Sequence, residues 1–237
     1  NIGDTGQIAT TNMDFEIQLV ADQEINRKYA LVRQSGGGFN PGNLLQNDNR
    51  HRGFFTESIK IWIDSQTSSL SLHAHAPETS TSSSTYSSST GWTAGVSGGD
   101  VASLSYSSSS VVSTTITDFK TINNTAGVDP AWEWALAKVS GKGYNNWKDI
   151  YYQDAFEKCK MYSLPDKAKS NLTPKFEAVF KADSGFNGNA SFLLTTESKV
   201  RKSKARGDIW KCKQSTDWHS YTRWMNVTAN FGLVSVD

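Results

Sequence analysis

Histidines and cysteines are the residues of this sequence whose spacing could indicate a metal site. His73 and His75 lie two positions apart in the strand-like segment SLSLHAHA, where both could ligate one metal ion. No third ligand is suggested, so solvated histidines on a strand are the favoured interpretation. Cys159 and Cys212 are far apart and match no CxxC or Cys/His ligand spacing. The sequence therefore predicts no metal site.

Motifs for catalysis are missing from the sequence. It contains no GxSxG, HExxH, glycine-rich phosphate loop or EF-hand. The segment SGGGF at 35–39 lacks a following helix, so we predict a plain loop rather than an anion site. The basic run KVRKSKARGD at 199–208 could contact phosphates or lipid headgroups, although a solvated turn or strand edge is the favoured interpretation. The sequence predicts neither enzymatic activity nor a cofactor.

Length and charge limit the class of protein. A chain of 237 residues can bury a core as one large or two small domains, and a net charge of +1 gives no field that would attract nucleic acid. No apolar run approaches the ~18 residues of a membrane-spanning helix. The start NIGDTGQIATTNMDF shows no signal peptide and no initial Met, as expected of a processed, secreted protein. In that setting a Cys159–Cys212 disulfide is favoured over two buried thiols.

Residues 79–117 form a stretch that is rich in Ser and Thr and carries a single charge, Asp100. Such a composition is typical of a flexible linker or a mucin-like stalk. This stretch, however, contains no Pro and is interleaved with aromatic and β-branched residues. We therefore expect a β-hairpin rather than a linker.

The hairpin is predicted to turn at Gly98, Gly99 and Asp100, where Gly permits a positive φ. Side chains alternate between the two faces of a strand, so the turn fixes which residues share a face. The opposite face is small and mostly hydroxylated. The predicted apolar face pairs Val96 with Ala102, Ala94 with Leu104, Trp92 with Tyr106, and Tyr86 with Val112.

One apolar and one hydroxylated face is the pattern of a transmembrane β-barrel strand, with the apolar side toward lipid. The arms 86–96 and 102–112 have the length of the ~9–11 residues that cross a bilayer when tilted. Ser88, Thr90, Ser108 and Ser110 fall on the apolar side and weaken the match. Because a lone hairpin leaves unpaired edges in lipid, several copies would have to close one barrel.

The remaining segments predict an all-β sandwich of short strands. Strands are expected within 11–35, 54–66, 69–76 and 176–236, and Ile59, Ile61 and Ile63 should share one face. The stretch 129–174 is irregular and rich in Trp and Tyr. Burial in the core explains Trp132, Trp134 and Phe156 at least as well as contact with a membrane does. The run SGKGYNNW is the best candidate for an exposed aromatic cluster at a membrane interface.

Several segments together resemble the leukocidin and hemolysin superfamily of bacterial β-barrel pore-forming toxins. They are DFKTI at 118–122, PAW at 130–132, the GYNNW run that continues to Phe156, and NLTPKFEAVFKA at 171–182, which is similar to the Vibrio cytolysins. The resemblance implies a cap sandwich, a membrane-facing rim and a stem that is released on assembly, usually as a heptamer. It implies a cap at 1–76 and 176–237, a pre-stem at 77–118 and a rim at 119–175.

The resemblance also implies which rim residues meet the membrane. Staphylococcal members hold a phosphocholine headgroup with a Trp and an Arg. By spacing back from Phe156, Trp147 and Tyr144 lie in the matching neighbourhood, and Lys160 falls where the Arg is expected. Because Lys lacks the planar fork of Arg, the resemblance at this position does not extend to the phosphocholine-binding pair. The implied rim residues are Tyr144, Trp147, Tyr151, Tyr152 and Lys160.

The predicted function is that of a secreted pore-forming cytolysin. It would bind the target-cell lipid membrane, associate with itself and insert one hairpin per protomer to form a weakly selective pore. The alternative is a secreted β-sandwich module that binds carbohydrate or lipid, with 79–117 as a flexible loop. Neither interpretation involves nucleic acid.

Overall fold

The computed structural model describes residues 9–23, 25–42, 47–80, 92–97, 101–106, 116–153, 159–208 and 211–235, and these are mostly β-strand. Within these ranges one helical turn, α1 (Asp166–Lys169), and two short 3-10 helices, Trp147–Ile150 and Phe231–Leu233, interrupt the strands. The strands are β1 (Thr10–Asp22), β2 (Arg27–Asn40), β3 (Asn47–Asp48), β4 (His51–Ser65), β5 (Ser71–Ala76), β6 (Trp92–Ser97), β7 (Val101–Tyr106), β8 (Phe119–Asn123), β9 (Ala131–Leu136), β10 (Lys138–Val139), β11 (Lys142–Gly143), β12 (Tyr151–Gln153), β13 (Cys159–Met161), β14 (Glu177–Asp183), β15 (Asn189–Asp208) and β16 (Lys211–Asn230).

Two antiparallel sheets face each other, and the predicted all-β sandwich is confirmed. One sheet has the strand order β1-β2-β14-β5, and the other has the order β16-β15-β4-β9-β8 with β3 paired to β4. At one end of the sandwich, Thr196 of β15 donates a hydrogen bond to the sulfur of Met13 of β1, 3.9 Å away. At the other end, the side chains of His75 of β5 and Asn123 of β8 are 3.2 Å apart. We call these the β1/β16 end and the β5/β8 end.

Alternation along the strands produces the core between the sheets. Ile59, Ile61 and Ile63 of β4 are fully buried, as their spacing predicts, while the residues between them are only partly buried. Across the sandwich, the rings of Phe180 and Phe192 lie 4.9 Å apart. Sheet-on-sheet packing of this kind supplies the main hydrophobic stabilisation of the domain.

The segment SGGGF is not the loop that the sequence predicts. Strand β2 continues through it to Asn40, paired with β1, and the register shifts between Asp14 and Phe15. Gly37 has a φ of 73°, and a Cβ there would lie 1.9 Å from the carbonyl oxygen of Asn12. Only glycine fits the backbone at Gly37. The extra, unpaired residue at the register shift is Ser35, so the segment is a strand with a β-bulge beside the glycines rather than a loop.

The sandwich also includes the first part of the segment predicted as the rim. β8 and β9 pair within the six-stranded sheet. The rest of the segment that the sequence predicts as the rim, residues 137–175, is called the rim-like region below. Trp132 and Trp134 are buried, which confirms the core interpretation for both. The indole Nε1 of Trp132 donates to the carbonyl oxygen of Pro77, 3.1 Å away. Phe156 lies outside the described residues.

Candidate functional site

The hairpin of β6 and β7 has the register that the sequence predicts. Ala94 pairs with Leu104 in an antiparallel ladder. In the same ladder Trp92 pairs with Tyr106 and Val96 with Ala102. The turn residues Gly98, Gly99 and Asp100, together with Tyr86 and Val112, lie outside the described residues.

The hairpin lies beside the four-stranded sheet, because β7 contacts β1. This sheet has a second apolar cluster on the face that points away from the sandwich core. Val20, Tyr29, Leu31 and Val179 form it, and each is at most 3% exposed. Alternate residues of β2, such as Ala30, belong instead to the main core. Both faces of the four-stranded sheet are therefore covered.

The rim-like region is attached to the sandwich by a disulfide and by backbone hydrogen bonds. Cys159 of β13 and Cys212 of β16 are bonded, with their Cα atoms 5.0 Å apart, as the sequence predicts. The amide of Met161 donates to the carbonyl oxygen of Asn49, 2.7 Å away. β12 pairs with β13, so both strands are held against the six-stranded sheet.

Two of the aromatic residues predicted at the membrane surface are buried instead. Tyr144 is 5% exposed, and its hydroxyl donates to Oε1 of Glu57 at 2.8 Å. Burial, followed by the negative charge of Glu57, raises the pKa of Tyr144. Tyr151 is 8% exposed, and its hydroxyl donates to the carbonyl oxygen of Ser215 at 2.8 Å. Both side chains attach the rim-like region to the sandwich, so the prediction of exposed rings is wrong for them.

Trp147, Tyr152 and Lys160 are half-buried and remain accessible. Trp147 begins a 3-10 helix that Asn146 caps, and its ring stands edge-on to Tyr151 at 6.0 Å. Tyr152 pairs with Lys160 across β12 and β13. Tyr152 and Lys160 therefore form an accessible aromatic and basic surface, and Trp147 is a separate accessible ring beside Tyr151.

A cavity of about 520 Å³ opens beside this surface. Tyr152 and Tyr162 stack on its wall with ring centroids 4.6 Å apart. The buried guanidinium of Arg52 donates to the carbonyl oxygens of Met161 and Tyr162 at 3.0 and 2.9 Å. The full lining is Asp48, Asn49, Arg52, Ser140, Tyr152, Met161, Tyr162, Ser163, Leu164 and Lys169.

Among the residues that line the cavity, Tyr152 is the one that the sequence predicts as a site residue. Tyr162 lies in the aromatic-rich segment, so its composition could have indicated it. Arg52 carries no such signal because it is 110 positions away from Tyr162 in the sequence. Only the sandwich brings the two together.

The basic run at 199–208 is part of the central strand β15 and is not a solvated turn. Arg201 is buried and binds Glu57 through Nε–Oε1 and Nη2–Oε2 contacts of 2.7 and 2.9 Å. Lys199 also reaches Glu57, with Nζ 3.1 Å from Oε2. Burial opposes ionisation of Glu57, but Arg201, Tyr144 and Lys199 together outweigh it and lower the pKa of the carboxyl. Arg201 is thus a structural cation.

Neither histidine of the SLHAHA strand belongs to a metal site in the described part of the chain. The ring of His73 lies 5.3 Å from that of Tyr29, and His75 contacts Asn123. Across the described ranges, no three His, Cys, Asp or Glu side chains are grouped so that they could hold a metal ion. No helix in those ranges is long and apolar enough to cross a membrane.

The sandwich, the rim-like region attached to it and the hairpin make up a fold that is also found in pore-forming toxins, as the sequence resemblance implies. Three solved structures share it. The Clostridium perfringens NetB toxin in its membrane-inserted form has a TM-score of 0.58 at 16% identity, with 94% of this chain and 96% of that chain covered. A pore-forming protein has a TM-score of 0.58 at 15% identity, with 98% and 96% covered. The Clostridium perfringens delta-toxin has a TM-score of 0.54 at 12% identity, with 97% and 93% covered. No protein-family model and no curated protein matches the sequence.

Proposed function

We propose that this chain is a secreted pore-forming cytolysin that binds membranes, oligomerises and inserts the hairpin of β6 and β7. The observation that carries the proposal is the register of this hairpin, in which the apolar positions pair with one another. The similarity to pore-forming toxins, including NetB in its membrane-inserted form, supports pore formation at the level of the family. The disulfide fits an oxidising, extracellular setting.

Membrane binding is assigned to the accessible part of the rim. Trp147 and Tyr152 have the amphipathic rings that favour the headgroup layer, and Lys160 adds a positive charge for anionic groups. The neighbouring cavity has room for a polar headgroup between the stacked tyrosines and Lys169. We propose that these groups hold the protein on the target membrane before assembly.

Before insertion, the hairpin is assigned a position against the outer face of the four-stranded sheet. The cluster of Val20, Tyr29, Leu31 and Val179 is buried there, and β7 contacts the edge strand β1 of the same sheet. We propose that the hairpin packs beside this face in the monomer through the contact of β7 with β1. Its departure would expose apolar surface, so release becomes favourable only when assembly and lipid provide replacement contacts.

Backbone groups that enter lipid must all be hydrogen-bonded, and this requirement determines how the hairpin can insert. A hairpin that enters a bilayer alone leaves its outer edges without hydrogen bonds, whereas neighbouring hairpins in a closed barrel satisfy them. The number of protomers implied by the sequence resemblance is seven. The hydroxylated face would line a weakly selective aqueous lumen, because its Thr and Ser positions carry no charge.

The first test is dye release from liposomes prepared with and without cholesterol, with the same samples run unheated on SDS gels. A pore former is expected to release dye and to give a large SDS-resistant band. Binding without release or oligomer on any lipid would favour the carbohydrate- or lipid-binding module. Red-cell lysis then shows whether a receptor is required.

A tether tests the hairpin itself. One cysteine in β1 and one in β7 should form a disulfide that blocks release while liposome binding persists, and a reductant should restore release. Wild-type protein with the same reductant is the control for the native Cys159–Cys212 bond. Unchanged release by the tethered form would show that β6 and β7 are not the stem.

A further inference from the structure

Strand β16 is a long edge strand with an unusual concentration of exposed apolar side chains. It spans Lys211–Asn230 and, within the described residues, pairs on one side only, with β15. Trp218 is 55% exposed, Trp224 70% and Met225 42%, and Leu233 just beyond the strand is 78% exposed. An edge of this length with unpaired backbone groups is a surface on which another chain can dock.

The two tryptophans are positioned by contacts within the monomer. The ammonium group of Lys199 lies 5.4 Å from the ring centre of Trp218, and the same group binds Glu57. Trp224 pairs with Thr195 of β15. Thr195 is buried although its side chain lies on the outer face of the sheet. Trp62 of β4 pairs with Thr195 from the other side, so the three residues form one row. Ordered, exposed aromatic side chains are typical anchors of protein interfaces.

We propose that the Trp218–Trp224 edge of β16 is the surface through which one protomer docks onto the β5/β8 end of a second copy of this chain. The inference rests on the proposed function, because a closed ring requires a heterologous contact between two different surfaces of each protomer. The β1/β16 end and the β5/β8 end lie on opposite sides of the sandwich, so they can serve as two such different surfaces. The β1/β16 end carries the exposed tryptophans.

The β5/β8 end has features that complement β16. Val128, which lies in the turn between β8 and β9, is 43% exposed and provides an apolar contact there. Glu78 is exposed and Asp129 is half-buried, although Lys120, also half-buried, lies on the same end. On β16 the exposed cation Arg223 donates only to the carbonyl oxygen of Thr222 among its described hydrogen bonds. β16 also carries the exposed acid Asp217. Pairing Arg223 with Glu78, and Asp217 with Lys120, would give the contact a preferred orientation.

The first experiment compares Trp224→Ser with Ile25→Ser on liposomes. Ile25 is an apolar side chain with 58% exposure in the turn between β1 and β2, so it controls for loss of surface hydrophobicity. Trp224→Ser is expected to keep the thermal midpoint and liposome co-sedimentation but to require at least about tenfold more protein for half-maximal oligomer formation. Ile25→Ser should behave as wild type. Equal oligomer formation by wild type and Trp224→Ser would overturn the proposal.

The second experiment identifies the surface that β16 meets. Thr222→Cys and Thr79→Cys place single thiols on the two ends, and both positions are exposed. A bifunctional maleimide should cross-link a mixture of the two variants on liposomes into dimers, whereas neither variant should cross-link alone. Cross-linking of Thr222→Cys with itself would mean that two β16 edges meet and would overturn the heterologous contact.

The readouts separate this inference from the proposed function. Mixed cross-links and SDS-resistant oligomers without dye release would support the β16 contact while contradicting pore formation. A wild-type protein that forms no oligomer on any of the membranes would overturn the contact. Dye release by Trp224→Ser at wild-type concentration, with oligomers, would support pore formation while contradicting the contact.

Discussion

The carboxylate of Glu57 on β4 binds the guanidinium of Arg201 on β15 through two hydrogen bonds of 2.7 and 2.9 Å. The side chains are 12% and 8% exposed, so the pair is largely shielded from water. The hydroxyl of Tyr144 donates to the same carboxylate. Through this hydrogen bond Tyr144 attaches the start of the rim-like region to the ion pair in the six-stranded sheet.

Removing the charge of Glu57 should destabilise the fold strongly. Glu57→Gln leaves the buried guanidinium of Arg201 without its counter-charge, and breaking a buried pair in this way costs about 3 kcal/mol of unfolding free energy. Denaturant unfolding measures the loss. Lys199→Met is the matched control, because the partly exposed Lys199 contributes less than about 1 kcal/mol through its ion pair with Glu57. Equal losses for the two variants would contradict the assignment of Arg201 as the main partner.

The same pair predicts a pH dependence of stability. Burial opposes ionisation of Glu57, but its hydrogen bonds and the charge of Arg201 hold the pKa below the ordinary 4.5. A depressed pKa in the folded state contributes stability above that ordinary value and loses it as the pH falls below 4.5. The difference in unfolding free energy between wild type and Glu57→Gln should therefore be constant from pH 7 to 5 and shrink at lower pH. A constant difference down to pH 2 would exclude Glu57 as the titrating group.

Loss of the disulfide should destabilise the attachment of the rim-like region. Cys159 and Cys212 are 53 positions apart, and a cross-link over a loop of this length is worth about 4 kcal/mol through the entropy of the unfolded chain. The double variant Cys159→Ala, Cys212→Ala should unfold at lower denaturant concentration than oxidised wild type. Adding a reductant should shift the wild type toward the variant and leave the variant unchanged. A reductant effect on the variant would point to another cause.

The two faces of the hairpin should respond differently to one new charge. Leu104→Arg places a cation on the face assigned to lipid, where it costs about 2–4 kcal/mol per protomer near the bilayer midplane, so dye release should be lost. Ser105→Arg, one position along and paired with Thr93, places it on the face assigned to the lumen. That variant should keep dye release and shift the pore toward anion selectivity in planar-bilayer recordings. The reverse pattern would exchange the two faces.

The accessible rim residues should contribute to membrane binding more than the buried ones. Tyr152→Ala removes a half-buried ring from the cavity wall, so liposome co-sedimentation should weaken several-fold without a large loss of stability. Tyr151→Phe removes a buried hydroxyl that donates to Ser215 and should lower stability by about 1 kcal/mol while binding persists. If both variants bind liposomes as wild type does, membrane contact lies elsewhere.

The strands with simple alternation could be predicted from sequence. The burial of Ile59, Ile61 and Ile63 and the pairing of Trp92 with Tyr106 follow from the two-residue period of a strand and from a glycine turn, which are local properties. The glycines at 36–38 predict a loop, but the segment is a strand with a β-bulge at Ser35, because a β-bulge depends on the partner strand as much as on the local sequence.

The sequence by itself determined that this is an all-β protein with a hairpin of two unlike faces, because alternation and turn residues are fixed along the chain. Only the tertiary structure decided which aromatic residues are available for function. Tyr144 is buried against Glu57, while Tyr152 stays accessible beside Tyr162. It also placed Arg201 against Glu57, 144 positions away, and left Trp224 exposed on an edge. Burial depends on which strand packs against which, and that choice is made by contacts between residues distant in sequence.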